Sequence, residues 1–361
     1  MTRAHVTRTS WLAILGLLLL CGIWVVSEQV LRCEAQEDTG AAYVDTVREG
    51  LAYRASVIRT MTGTAEMEFT FSPATCERGR NEADAYAKQM KWIGEVLPLD
   101  PTHGSHLTFS ADFGRGQWSC DVTDLTVSGH YLWASSNDPP LNRHLPPDTF
   151  RRVAVSDGTK TYVYDHSLQR GWIDHYTGEP CQMPQPVAHV YDMTCGAPSS
   201  VLTALDDSRY AAVFLGEEEV EGSNCLKIRL SPNDLSLGGS VVTLWSAPAL
   251  DFALVRQESR SYVPASSPDE VPVLDRIRIT VAAEFVKMSD TLWCPMTAET
   301  ICYRGGPGGA ESWDYTRVIR IECAEVNVPL AVIVTPYEFP AGTKVTDLTQ
   351  GTVSVAGEGE D

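Results

Sequence analysis

Positive charge is scarce in this sequence. The 361 residues contain 28 Lys and Arg against 47 Asp and Glu, which gives a formal net charge of −19 at pH 7. A surface of this sign repels the phosphates of nucleic acids and the headgroups of anionic lipids. The composition therefore excludes a generic nucleic-acid-binding protein and a protein that adheres to membranes through a basic surface.

Motifs for several kinds of chemistry are also missing. The chain has no Gly-x-Ser-x-Gly nucleophile elbow, Walker loop, dinucleotide fingerprint or His-Glu-x-x-His motif. Its cysteines and histidines do not form the two closely spaced pairs that a structural zinc site requires. The sequence therefore predicts no cofactor, no metal ligand and no catalytic residue, and an enzyme is the minority interpretation.

The first 35 residues have the organisation of an export signal. Basic residues precede an apolar run over residues 11–26, and these 16 residues are fewer than the ~20 that a membrane-spanning helix needs. Small residues at and before Ala35 suit cleavage there, which would leave residues 36–361 as the mature chain. An uncleaved anchor over 11–26 and lipidation at Cys21 are the alternatives. All three interpretations predict that the rest of the chain is exported, to the periplasm or cell envelope.

The cysteine count agrees with export. Ten cysteines are present, and cleavage after Ala35 removes two of them, so that an even number enters an oxidising compartment. Two local disulfides are expected. Cys181 would pair with Cys195 and close a proline-rich loop, and Cys294 would pair with Cys302 across a hairpin.

Beyond the export signal, one helix is followed by a long series of strands. Apolar residues at helical spacing predict an amphipathic helix over Tyr43–Met61. Strict alternation predicts a half-buried strand over Thr64–Phe71. A second helix is predicted at Asn81–Val96, within an insertion at 73–104, and the acidic tail from Thr349 is expected to fray.

Tight turns connect the later strands. Ser156-Asp157-Gly158-Thr159 is a typical hairpin turn, and neither an internal repeat nor a linker divides the chain. The sequence therefore predicts a single α+β domain that is mainly antiparallel β. A meander of this length must curl to hide its apolar face, which favours an incomplete, half-open β-barrel wrapped around the long N-terminal helix.

Several segments together resemble the LolA/LolB superfamily of exported lipoprotein carriers. They are the Tyr43–Met61 helix leading into Thr64–Phe71, the hairpin at 155–164, the segment 219–228 and the ending Tyr337–Val345 with its Phe-Pro-x-Gly-Thr pattern. The resemblance implies an incomplete β-barrel closed by helices, with a ligand site of inward-facing apolar side chains. This chain is longer than a dedicated carrier, and the arginine that controls closure in those carriers has no assigned counterpart here.

The candidate ligand-binding residues share a place on the apolar strand faces of such a barrel. They are Met67, Phe69, Phe71, Leu107, Phe109, Phe113, Trp118 and Leu244. For each of them, packing in a solid core is the competing interpretation, because apolar strand faces form cores by default.

Three functions are compatible with these patterns. The predicted one is an exported carrier-like protein that binds a lipid or an acylated protein and holds its apolar moiety in the concave face of the half-barrel. The first alternative is an envelope sensor or scaffold that binds a protein partner, such as a membrane-tethered one. The second is an enzyme with an active site in the concave face.

Overall fold

The computed structural model describes residues 40–89, 101–124, 151–166, 169–175, 199–264, 272–290, 292–305, 311–329 and 337–357. Three predictions fall outside the described residues. These are the export signal, the Cys181–Cys195 pair and the last part of the second helix, residues 90–96.

Fifteen strands in the described part of the chain form one sheet. They are β1 Thr60–Phe71, β2 Thr102–Asp112, β3 Gln117–Asp124, β4 Arg151–Asp157, β5 Lys160–Asp165, β6 Arg170–His175, β7 Tyr210–Val220, β8 Ser223–Pro232, β9 Gly239–Ala247, β10 Ala253–Val263, β11 Val273–Ser289, β12 Leu292–Gly305, β13 Glu311–Val326, β14 Lys344–Asp347 and β15 Thr352–Val355. Three α-helices accompany them: α1 at residues 40–57, α2 Pro73–Gln89 and α3 Ser199–Asp206.

The order of the strands shows an open sheet that grows outward from β1. That order is β15-β14-β6-β5-β4-β3-β2-β1-β13-β12-β11-β10-β9-β8-β7. Neighbours are antiparallel, except that β14 runs parallel to β6. Because β15 and β7 form the two edges and do not pair with each other, the prediction of an incomplete, mainly antiparallel half-barrel is confirmed.

Strand β1 holds the two halves of the sheet together. It pairs with β2 on one side and with β13 on the other. Its alternation follows the sequence prediction, since Ala65 and Met67 are buried while Glu66 and Glu68 point to the other face. The predicted strand over Thr64–Phe71 is therefore confirmed, with four further residues at its start.

Helix α1 ends earlier than its apolar spacing predicts. The helix covers residues 40–57, whereas the spacing continues through Ile58 and Met61. Both side chains are buried, but Met61 is already a strand residue that pairs with Ala111 and Val326. The predicted end at Met61 is wrong because burial in the sheet, rather than helical packing, accounts for the last apolar position.

Helix α1 covers one half of the sheet. Val47 and Leu51 are fully buried and pack in a cluster with Ile228 of β8, Leu244 of β9 and residues of α3. A separate cluster is centred on β1 to β4 and β13, and it includes Phe109 and Trp118 but no residue of α1. The two largest hydrophobic clusters thus lie side by side along the same sheet.

Helix α2 starts eight residues before the predicted Asn81. Ser72 caps it, because its Oγ accepts a hydrogen bond of 3.1 Å from the backbone N–H of Thr75, and Pro73 occupies the first helical position, where a missing N–H costs nothing. The helix is tied to β13 at Asp314, which accepts hydrogen bonds from Thr75 Oγ1 and Arg78 Nη2 at 2.5 Å each.

The C-terminal segment is built into the sheet. Residues expected to fray after Thr349 instead form β15, which pairs with β14. Ahead of them, the Phe339 ring lies over Gly171 and near the rings of Tyr162 and Tyr164. The segment with the Phe-Pro-x-Gly-Thr pattern therefore covers β5 and β6 on one face of the sheet. The side chain of Trp172 lies on the other face. Across the described ranges, no helix is both long and apolar enough to cross a membrane.

Candidate functional site

The face of the sheet on which α1 packs, here called the inner face, carries the candidate site. The strand registers place one row of residues across it, from beneath α1 to β1. That row is Leu244, Gln257, Thr280, Thr300, Arg317 and Phe69. The row begins apolar, becomes polar over β10 to β13 and ends at an aromatic ring.

A cavity of about 500 Å³ lies on this inner face, between α3 and β13. Its volume is within the range of small-molecule sites in proteins, about 300–1,000 Å³. The lining residues are Val201, Ala204, Tyr210, Leu230, Gly239, Ser240, Val242, Leu254, Val255, Arg256, Gln257, Ser259, Ser261, Arg278, Thr280, Ala282, Ala298 and Arg317.

One wall of the cavity is apolar. Helix α3 contributes Val201 and Ala204, and Leu230, Val242 and Leu254 face them from β8 to β10. Leu230 is fully buried, and it belongs to the cluster that α1 covers. Van der Waals contact and removal from water are the interactions that such a wall can offer to a ligand.

The floor of the cavity is made of paired hydroxyl groups. Ser240 Oγ lies 2.9 Å from Ser261 Oγ, and Thr280 Oγ1 lies 3.0 Å from Thr300 Oγ1. Arg317 Nη2 donates a hydrogen bond of 3.1 Å to Thr300 Oγ1. Because each hydroxyl has two acceptor lone pairs and one donor, these pairs keep capacity for a polar ligand group.

The polar end of the cavity is also cationic. Arg278 and Arg317 line it, and Arg276 and Arg304 stand opposite each other on the adjoining ends of β11 and β12. These arginines surround the buried Cys302. Burial raises the pKa of the Cys302 thiol, and the positive charges of Arg278 and Arg276 oppose that rise.

Arg54 joins α1 to the apolar end of the same strands. Its guanidinium is completely buried and donates to the backbone carbonyl oxygens of Leu250 at 3.2 Å, Asp251 at 3.3 Å and Trp293 at 2.7 Å. Burial raises the pKa of the neighbouring Cys294 thiol to about 11, although the charge of Arg54 and a hydrogen bond from it both act in the opposite direction. The helix is thus fixed over β12 as well as β8 and β9.

All eight candidate ligand-binding residues belong to the inner face, but none lines the cavity. Met67, Leu107, Phe109 and Trp118 are buried together in the cluster of β1 to β4. Leu244 is buried beneath α1 in the other cluster. These five side chains pack against their neighbours as core residues do.

The remaining three candidates are half-buried aromatic residues. Phe113 packs at the margin of the first cluster. Phe69 and Phe71 stack with ring centroids 5.7 Å apart, and Tyr315 lies 5.9 Å from Phe69. Since Phe69 pairs with Arg317 across β1 and β13, this aromatic group adjoins the cationic end of the cavity.

The expected Cys294–Cys302 disulfide is not formed. Both cysteines are free and buried, and both belong to β12, Leu292–Gly305. The strand that was expected to turn between them is continuous, and eight residues of strand separate their Cα atoms by about 27 Å, far beyond the reach of a disulfide. In the part of the chain that the structure describes, no group of three or more His, Cys, Asp or Glu side chains is placed to hold a metal ion.

The sequence reasoning missed the residues that line the cavity. Arg276, Arg278 and Thr280 alternate with Ile277 and Ile279 in β11, and such alternation is typical of a strand with one solvated polar face. The polar face is the inner one here, and only the register of β10 to β13 reveals that several arginines meet there. The available signal was the concentration of arginine in one strand of an otherwise acidic protein.

Comparison with known proteins finds similarity in structure only. No protein-family model matches this sequence, and no curated protein matches it either. A putative outer membrane lipoprotein-sorting protein domain from Vibrio parahaemolyticus is 10% identical, with a TM-score of 0.39, and the match covers 80% of this chain and 95% of that one. A LolA superfamily protein from Nitrosomonas europaea is 10% identical, with a TM-score of 0.37 and coverage of 80% and 98%.

A further solved structure, a DUF1329 family protein from Desulfovibrio piger, is 12% identical, with a TM-score of 0.37 and coverage of 80% of this chain and 95% of that chain. The MucA/MucB complex of Pseudomonas aeruginosa is also found, at 9% identity and a TM-score of 0.24. The solved structures similar to this chain thus include a member of the LolA superfamily, which several segments of the sequence resemble.

Proposed function

We propose that this protein is an exported, non-enzymatic carrier that holds the acyl chain of a lipid or an acylated protein in the inner-face cavity. The observation that carries the proposal is the 500 Å³ cavity with an apolar wall from α3 and β8 to β10. Burial of an acyl chain there gains about 0.8 kcal/mol per methylene group. The implied residence in the periplasm or cell envelope follows from the export signal expected at residues 1–35.

The bound lipid is the direct test. The full chain would be expressed with its own signal, purified without detergent and extracted with organic solvent, and the extract analysed by mass spectrometry. A carrier retains a lipid or acylated species at a constant ratio to protein. An extract without such a species, from a protein that also takes up no added lipid, contradicts the proposal.

A matched pair of variants assigns the lipid to the cavity. Val242→Trp fills the cavity from its apolar wall, whereas Val241→Trp places the same ring on the opposite face of β9, beside Thr243 and Trp245. Retained lipid should fall in the first variant and stay at the wild-type ratio in the second. Equal retention in both would place the lipid elsewhere.

A partner-binding module is the second candidate. The edge strand β7 leaves one side without a pairing strand among the described residues and exposes Val213 and Leu215, each 43% accessible. An exposed edge of this kind can add a strand from another protein. A photo-reactive residue at position 215 would then cross-link to one membrane-tethered protein, whereas the same residue at Val353, on the opposite edge, would not.

A further inference from the structure

We infer that the inner-face arginines recognise the phosphate headgroup of an anionic lipid whose acyl chain lies in the cavity. This inference rests on the proposed function and adds the chemical class of the ligand. Four residues, Arg276, Arg278, Arg304 and Arg317, are called the arginine cluster below.

The register of three strands assembles the arginine cluster. Arg276 and Arg304 are direct cross-strand partners on β11 and β12, and like charges in this position repel each other. Arg278 is the next inner-face residue along β11, and it pairs with Cys302. Arg317 lies on β13, opposite Thr300. A repulsive arrangement of this kind is stabilised when an anion binds between the guanidinium groups.

In the described part of the chain, two members of the arginine cluster, Arg276 and Arg278, lack the carboxylate partners that balance other cations on these strands. On the opposite face, Glu218 pairs with Lys227 at 2.9 Å, and Glu258 lies 2.8 Å from Arg260. On the inner face, no carboxylate of the described residues lies within 4 Å of Arg276 or Arg278. On the opposite face Arg260 therefore has an acid beside it, whereas Arg276 and Arg278 on the inner face have none among the described residues.

One carboxylate does reach the margin of the arginine cluster. Asp314 Oδ2 lies 3.9 Å from Arg304, but the other oxygen of that carboxylate already accepts hydrogen bonds from Arg78 and Thr75. Meanwhile, the buried Nε of Arg276 and that of Arg304 have no hydrogen-bond partner within the described ranges. Two guanidinium N–H donors within the cluster are therefore unsatisfied.

The position of the arginine cluster beside the cavity selects an amphipathic ligand. Arg278 and Arg317 line the cavity, whose opposite wall is formed by Val201, Leu230 and Leu254. Planar guanidinium groups bind phosphate through two parallel hydrogen bonds. In a chain of net charge −19, a local excess of arginine is needed to attract a phosphate that the rest of the surface repels.

Two lipids that differ only in the phosphate test the inference. The delipidated full chain would be titrated by calorimetry with 1-palmitoyl lysophosphatidic acid and with 1-palmitoylglycerol, each below its aggregation concentration. We expect the phosphate-bearing lipid to bind about tenfold tighter or more, with an affinity that falls as salt rises. Equal affinities for the two lipids would overturn the inference and leave the carrier proposal standing, whereas no binding of either lipid would overturn both.

Variants and free phosphate complete the test. The double variant Arg276→Gln/Arg304→Gln should bind the phosphate-bearing lipid about tenfold more weakly. Its affinity for 1-palmitoylglycerol should be unchanged. Arg229→Gln/Arg320→Gln removes the same charge from the opposite face and should change neither affinity. Arg278→Gln, at an exposed position, gives the same reading if the double variant does not fold. An unchanged affinity in Arg278→Gln and the double variant, or inorganic phosphate binding as tightly as the lipid, would contradict a lipid headgroup site.

Discussion

Arg54 Nη2, at the buried end of α1, donates a hydrogen bond of 2.7 Å to the backbone carbonyl oxygen of Trp293 in β12. Through Nη1, the same guanidinium also bonds the carbonyl oxygens of Leu250 and Asp251, in the turn that joins β9 and β10. One side chain therefore connects the helix to two separated parts of the sheet, at the end of the strands opposite the arginine cluster.

Replacement of Arg54 should destabilise the protein strongly. Arg54→Leu keeps an apolar side chain under α1 but leaves three carbonyl oxygens without this donor, and each buried group left unsatisfied costs about 1–3 kcal/mol. We expect the free energy of unfolding to fall by about 2–4 kcal/mol, measured by urea denaturation.

Arg48→Gln is the control on the same helix. Arg48 forms an exposed ion pair with Asp45 and a longer one with Asp206 at 3.5 Å, and exposed pairs contribute about 0–1 kcal/mol. If Arg54→Leu cost no more than Arg48→Gln, the carbonyl contacts would not be what holds α1 in place.

The cysteines of the folded protein should differ in the rate at which their thiol groups react. Burial raises the pKa of Cys120 to about 12, with a further rise from Asp121, and it raises the pKa of Cys225 and Cys294 to about 11. At pH 8 only about one in a thousand of the last two thiols is then ionised. Cys76 is partly exposed, and a short pulse of iodoacetamide should label it before Cys120, Cys225 and Cys294.

Peptide mapping by mass spectrometry measures this order. The same pulse in denaturant serves as the control, because unfolding exposes every thiol and should remove the difference. Labelling of Cys120 in the native protein at the rate of Cys76 would show that the cluster of β1 to β4 is open to solvent.

Gly171 should tolerate no side chain while Phe339 is in place. A Cβ at position 171 would lie 2.4 Å from Cε1 of Phe339, so Gly171→Ala must displace that ring and the segment that carries it. We expect a loss of about 1–3 kcal/mol in the free energy of unfolding. Faster proteolysis near Tyr337 should accompany the loss.

A double-mutant cycle identifies the cause. In the background of Phe339→Ala the ring is absent, and Gly171→Ala should then cost little. An equal cost in both backgrounds would mean that strand β6 itself, rather than the contact with Phe339, requires glycine.

Asp314 should contribute stability that disappears in acid. Burial alone would raise the pKa of this carboxyl group, but hydrogen bonds from Thr75 and Arg78 and the charge of Arg78 outweigh burial and hold the pKa below its ordinary value. A lowered pKa in the folded protein contributes stability above the unfolded-state pKa of about 4, and that contribution is lost as the pH falls through the folded-state value.

The comparison of wild type with Asp314→Asn measures this contribution. We expect the variant to lose about 1–2 kcal/mol at pH 7, with a difference that shrinks as the pH falls below about 4. Denaturation at a series of pH values provides the data. A difference that is constant from pH 7 to pH 3 would assign the effect to the shape of the side chain rather than to its charge.

Local sequence patterns were sufficient to predict the elements that are formed by contacts between residues close in sequence. The alternation over Thr64–Phe71 predicted β1, and Ser156-Asp157-Gly158-Thr159 predicted the hairpin between β4 and β5. Asp157 fixes that turn by accepting hydrogen bonds from the backbone N–H groups of Thr159 and Lys160 at 2.7 Å each. Such signals depend on a few adjacent residues, and the sequence displays them directly.

Pairings between distant segments were not predictable in this way. The parallel pairing of β14 with β6 joins segments that are far apart in the chain. Neither segment contains a sequence signal that identifies its partner. The arginine cluster depends on the same kind of information, because Arg276 and Arg304 meet only when β11 and β12 adopt one particular register. A slip of one residue would send each arginine to the opposite face.

The central place of β1 has a consequence for how the protein is made. The ribosome produces β1 first among the strands, but one of its two partners, β13, ends at Val326. Throughout translation, β1 therefore presents an unpaired edge of twelve residues, which is a template for wrong pairing. Long-range closure of this kind is slow, so newly made chains are exposed to aggregation until β13, Glu311–Val326, has been made.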